Sequence, residues 1–166
     1  MAKRSLAVLS LSSLLFLPNL ALARLRAMPV DELTREAILI ARIKVTRADK
    51  ASFRGQYNQL ALLQIVDMIE GDSTLKEVRV WSQSQVFSAT DSYKKGDEML
   101  VFLEREITFF KTLNYQYGQF LIENEMVKGW RDKEKGEISK PYPEVVEEIR
   151  GYLSVQKVTG ELPDAQ

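Results

Sequence analysis

Two pairs of glutamates stand at i, i+2 spacing, Glu104 with Glu106 and Glu123 with Glu125. On a strand that spacing puts both carboxylates on one face, where they would serve acid–base chemistry if a cleft enclosed them. Charge at an exposed strand edge explains the same spacing, and it needs no cleft. Asp91, Asp97 and Glu98 stand around one loop and offer the hard oxygens that Ca²⁺ prefers. They lack the dense alternate-acid spacing of a Ca²⁺-binding loop, so solvated turn charges account for them equally.

The chain contains no histidine and no cysteine. That removes Cys–His and Ser–His–Asp nucleophilic machinery, ordinary zinc sites, and haem or iron–sulfur ligation through those side chains. Carboxylates, Lys, Tyr, Ser and Thr are left to do any chemistry. No catalytic, metal or cofactor residue can be assigned from them, and no cofactor is expected.

Aromatic residues are the remaining candidates. Phe109, Phe110, Tyr115, Tyr117 and Phe120 fall within one segment and would make a stacking platform if they shared an exposed face. Most share the parity of the core, and core packing is their default. Phe110 stands apart because its neighbours in parity are Thr108 and Thr112. Trp81 likewise shares the parity of Arg79 rather than that of Val78 and Val80. Each would present a large apolar surface to a protein partner unless another element covers it, and for Trp81 the C-terminal helix is the expected cover.

The elements that would position these residues are mostly strands. Met28 to Leu33 suggests a short helical turn, with Pro29, Asp31 and Glu32 suited to its start. Ala37, Leu39, Ala41, Ile43 and Val45 then share one face and Arg42, Lys44 and Thr46 the other, with Ile38 and Ile40 breaking the polar face at its start, which predicts a strand. Arg47 to Gly55 is polar and reads as a loop. Tyr57 to Ile69 predicts a long strand, apolar on both faces, with a bulge near Asp67. A third strand covers Glu77 to Ser82, a polar loop Ser82 to Ser92, and a fourth strand Glu98 to Glu104.

Ile107 to Tyr117 alternates as a further strand, and its apolar phase flips after Gly118. Trp130 to Lys140 is highly charged and reads as an exposed loop. From Pro143 the apolar residues Val145, Val146, Ile149, Tyr152 and Leu153 repeat with helical period. The fold class expected is mainly β: a small antiparallel OB-like barrel or sandwich of five or six strands. A short helical turn precedes it and a C-terminal helix closes it.

Residues 1–23 read as a secretory leader. Lys3 and Arg4 form the basic start, Leu6 to Leu17 the apolar stretch, and Ala21-Leu22-Ala23 the cleavage site. The apolar run, roughly 12 residues, is short against the ~20 of a membrane span. Cleavage removes two of the 23 basic residues and none of the 23 acidic ones, which leaves a charge of −2. That balance argues against nucleic acid as the partner. Residues 24–158 are expected to form one domain, with 159–166 a frayed tail. No transmembrane anchor is expected after cleavage, and the location implied is periplasmic or secreted.

Several pieces stand in a telling order. A helical turn and strand fill Leu33 to Val45, a second strand ends in Ile69-Glu70-Gly71, and Gly96 to Leu103 reads Gly-Asp-Glu-Met-Leu-Val-Phe-Leu. Tyr115, Tyr117, Gly118 and Phe120 follow. From Asp31 to Ile122 this order resembles a group of exported bacterial proteins of unassigned function and, more distantly, the netrin/TIMP-like OB-barrel modules. The resemblance implies a barrel. It does not carry protease inhibition, because TIMP-type inhibitors chelate zinc through an N-terminal Cys and this chain would begin at Arg24. The disulfide cysteines of those modules are missing too.

Together these features describe an exported, non-catalytic binding module with a protein partner in the cell envelope. Two alternatives stay open: an envelope hydrolase or transferase working through carboxylates, and a barrel that holds a small apolar ligand. Mass spectrometry of the exported protein should find Arg24 at its N-terminus; a mature protein that still carries Lys3 and Arg4 would overturn the leader assignment.

Overall fold

The computed structural model describes residues 26–82 and 92–160, with side chains through 156. The leader, Arg24, Asp91 and the greater part of the Ser82–Ser92 loop lie outside the described residues. Helix α1 (Val30–Glu36) leads into strands β1 (Leu39–Phe53), β2 (Tyr57–Glu70), β3 (Glu77–Ser82), β4 (Glu98–Glu106) and β5 (Phe109–Thr112). A 3₁₀ turn (Tyr115–Gly118), strands β6 (Gln119–Glu123), β7 (Met126–Asp132) and β8 (Gly136–Pro141), and helix α2 (Tyr142–Gly160) complete the described chain.

Five strands close into a barrel in the order β1-β2-β3-β5-β4, and β4 returns to β1 from Leu39↔Leu103 to Lys44↔Glu98. All neighbours are antiparallel except β3 and β5, which run parallel and meet at the single pair Val80↔Phe110. The interior is packed with Ile43, Val45, Ala61, Leu63, Val80, Val101 and Leu103, none more than 1% exposed. β6 continues the sheet from β4, and β7 and β8 extend it beyond the barrel.

Alternation along β1 and β4 creates two cores. Leu39, Ala41 and Ile43 with Met99, Val101 and Leu103 enter the barrel. Ile40, Leu100 and Phe102 belong to a second cluster, with Leu33 of α1, Phe120, Val127 and Trp130 of the outer strands, and Val145 and Ile149 of α2. This explains why Met99 to Leu103 reads as an unbroken apolar run: both of its faces are buried. Glu148 fixes α2 to the outer hairpin by accepting hydrogen bonds from Trp130 Nε1 (3.1 Å), Lys140 Nζ (2.6 Å) and Tyr152 Oη (3.0 Å).

Several sequence expectations are corrected. Arg47 to Gly55 is not a loop: β1 runs on to Phe53 and returns through a tight turn in which Arg54 (φ 51°) and Gly55 (φ 68°) both take positive φ. Register shifts between Val45 and Arg47 and between Lys50 and Phe53 break its alternation. The expected strand from Ile107 to Tyr117 is instead a turn, the short β5 and a 3₁₀ turn. Trp130 to Lys140 is a hairpin rather than an exposed loop, and Trp130 is wholly buried. The barrel itself has five strands, within the expected five or six, and three further described strands extend the sheet beyond it. The bulge expected near Asp67 is present, with register shifts on both sides of the Arg42↔Asp67 pair.

Replacing Ile149, fully buried under α2, by Ala should lower unfolding stability by about 2–5 kcal/mol in denaturant titrations. Gly151, with open space around its Cα, should gain roughly 0.5–1 kcal/mol on replacement by Ala. An Ile149→Ala chain as stable as the parent would show that α2 does not dock.

Candidate functional site

The described surface has an aromatic concavity where β3 meets β5. Phe53, at the end of β1, stacks on Trp81 of β3 with ring centroids 5.0 Å apart and planes 22° from parallel. Phe109 meets Phe53 edge-on at 5.5 Å and Tyr57 edge-on at 5.2 Å. The β1–β2 hairpin brings Phe53 and Tyr57 together as a cross-strand pair, and β4–β5 supplies Phe109. Beside this cluster lies a groove of about 510 Å³ lined by Phe53, Leu60, Arg79, Trp81, Thr108 and Phe110, among others. Tyr57 and Phe109 are buried; Phe53, Trp81 and Phe110 are half-buried.

The two sequence candidates for partner contact, Trp81 and Phe110, therefore line the same groove. Their surroundings differ from those expected. Trp81 is covered by Phe53, whereas α2 packs on α1, β7 and β8. Phe110 packs against the barrel's inner cluster beside Val80, so its contacts are those of the core side. The other aromatics do not join a platform. Phe120 is buried against Phe102 and Trp130, and Tyr115 and Tyr117 sit in the 3₁₀ turn. Phe53, Arg54 and Tyr57 escaped the sequence reading because they lie in or beside the segment taken for a loop.

Four of the candidate carboxylates, Glu98, Glu104, Glu106 and Glu125, are held by cations. Lys111 Nζ lies 3.6 Å from Glu104 and 3.0 Å from Glu106, so this pair does share a face. Tyr57 Oη donates to Glu106 at 2.7 Å. That bond, followed by the Lys111 contact, holds the Glu106 carboxyl below its usual range. A general acid needs the opposite shift. Glu123 ends β6, while Glu125 occupies the following turn at φ 61° and takes a two-pronged bond from Arg42. Glu98 is also bound by Arg42. Among the described residues no group of three or more acidic side chains is placed to hold a metal ion.

We found no protein-family model, curated protein or solved structure that matches the chain. The site is therefore read from its own geometry.

One rim of the groove is strained. Thr108 N donates to the Glu106 carbonyl at 2.6 Å, closing a three-residue turn around Ile107 at φ 52°. A β-branched residue at positive φ is a steric outlier, and turns of this hand are rare. Ile107 is also 77% exposed, so packing among the described residues does little to offset the strain. Such conformations concentrate where a surface is used. Ile107→Asn places a residue tolerant of positive φ there and should raise stability by about 1 kcal/mol in urea titration. A loss of stability would mean that the Ile107 side chain supports the fold.

Proposed function

We propose that this chain is an exported binding module without catalytic activity, acting in the periplasm or outside the cell, and that the groove between β3 and β5 is its binding face. The observation that carries this reading is the half-buried Phe53–Trp81 stack beside an open groove, on a barrel whose interior is already filled. Large aromatic surfaces left partly open are costly to a monomer and are typical anchors for a ligand.

Strand order supports the resemblance to OB-type modules. A five-stranded barrel closed by one parallel β3–β5 pair has the connectivity of that fold. OB barrels bind ligands on the β2–β3 face between the β1–β2 and β4–β5 loops. Here Leu60, Arg79 and Trp81 come from that face, Phe53 from the β1–β2 turn and Thr108 from the β4–β5 turn. The two other readings have less support. An acid–base enzyme is disfavoured by carboxylates paired with Lys111 and Arg42. A barrel for a small apolar ligand is disfavoured by the packed interior. No helix among the described residues is long and apolar enough to cross a membrane.

The test is a set of ¹⁵N–¹H titrations of the processed chain. Three probes are used: an acidic nine-residue peptide with a central Trp, hexagalacturonate, and a twelve-nucleotide oligothymidylate. Saturable shifts from one or more probes, concentrated at residues 53–60, 77–81 and 107–110, are expected. Shifts confined to other surfaces, or no shift with any probe, would overturn the assignment of the groove.

A further inference from the structure

The outward face of β3 is complementary to itself. Val78 and Val80 belong to the barrel's inner cluster, so Glu77, Arg79 and Trp81 stand in a row on the opposite face. Leu75, just before the strand, lines the same groove as these three. Along the chain the four run apolar, acidic, basic, aromatic. Leu75 and Trp81 are half-buried, while Glu77 and Arg79 are exposed. Neither of these two charges has an ion pair among the described residues.

Such a row fits its own reverse. Place a second copy of the chain face to face with the first, its β3 antiparallel, and let the two-fold axis cross β3 at Val78. Glu77 of each copy then falls opposite Arg79 of the other, and Leu75 falls opposite Trp81. Both charges gain a partner, and both apolar side chains leave water. The charges also fix the position of the axis. Moved to Arg79 it would set arginine on arginine, and moved to Glu77 it would set carboxylate on carboxylate, each of which is repulsive.

Other occupants match less of the face. A nucleic acid or an acidic polysaccharide would meet Arg79 but be repelled by Glu77, which lines the same groove. A purely apolar ligand would cover Trp81 and leave both charges unmatched. A second copy answers all four residues at once. It also comes close to Ile107, whose exposed side chain stands on the groove's rim beside Thr108.

We infer that, when no ligand is bound, a second copy of this chain covers the groove, pairing Glu77 with Arg79 and Leu75 with Trp81 across a two-fold axis at Val78. This rests on the groove being the binding face and adds how that face is kept from water. A ligand enters by displacing the second copy.

The experiment uses the full chain, expressed with its leader and purified as processed. Sedimentation velocity between about 1 µM and 1 mM should show a reversible monomer–dimer equilibrium. Glu77→Arg and Arg79→Glu should each weaken dimerisation at least about tenfold, because every dimer then contains two like-charged contacts. Mixed in equal amounts, the two variants should form a heterodimer about as tight as the parent dimer, since each supplies the charge that the other reverses. Recovery in the mixture also shows that both variants are folded.

A chain that stays monomeric throughout that range would overturn the proposal. So would a dimer that neither reversal weakens, or two weakened variants that do not recover when mixed. Any probe among the acidic peptide, hexagalacturonate and oligothymidylate that shifts the groove residues should also raise the monomer fraction. A probe seated in the groove of an intact dimer would overturn the second copy as its occupant. The two readings fail separately: the second copy by sedimentation, the binding face by the absence of probe shifts at the groove.

Discussion

β1 and β4 form a wall between two cores, and the rest of the structure depends on that wall being buried on both sides. Each strand sends alternate residues into the barrel and the others into the layer built by α1, α2 and β6–β8. Losing apolar contact on either face would therefore disturb both cores, because the same backbone carries them. The wall has one charged interruption. Arg42 sits on the outer-layer face opposite Leu100, with its side chain 14% exposed. Leaving such a cation unpaired would be expensive. It is matched by Glu98 on β4 and by Glu125 in the β6–β7 turn, and it lies 4.8 Å from the centre of the Tyr142 ring.

Tyr142 extends this connection. Its hydroxyl donates to Asp67 of β2 at 2.8 Å, and its backbone N–H donates to the Glu125 carbonyl at 2.9 Å. Burial, reinforced by the Asp67 bond, pushes the phenol above its usual pKa, so it keeps the proton that it donates. One arginine and one tyrosine thus tie the first residue of α2 to β1, β2, β4 and the β6–β7 turn. The polar contacts fix how the outer layer sits on the barrel, while apolar burial holds it there.

How far the fold was legible follows from where alternation survives. β3 and the apolar stretches of β1, β2 and β4 were readable because their faces differ or are both buried. β7 was not, because the register shift between Val127 and Trp130 puts two buried residues three apart, and Gly129 at φ 67° absorbs the extra residue. Surrounding charges then made a hairpin look like a loop. The polar half of β1 was lost for a related reason: beyond Val45 the strand is partly solvated on both sides and shifts register twice. For the site, parity pointed to Trp81 and Phe110 as outward residues, but the pairing of β5 with β3 sets Phe110 beside Val80 on the inner side. Parity could not supply the partner of Trp81, because Phe53 reaches it only through the hidden hairpin.

The same wall decides which side of the barrel the outer layer leaves uncovered. The second core covers the outer faces of β1 and β4, and β6 and the helices seal that side. β2, β3 and β5 are left to face outward, and there the apolar residues Leu60 and Trp81 are only half-buried. Closure is also thinnest on that side, at one β3–β5 pair. Extending β5 would strengthen it, yet the chain turns away through the strained turn at Ile107 instead. A longer β5 would run on beside Glu77 and Val78, where β3 has no pairing on that side among the described residues.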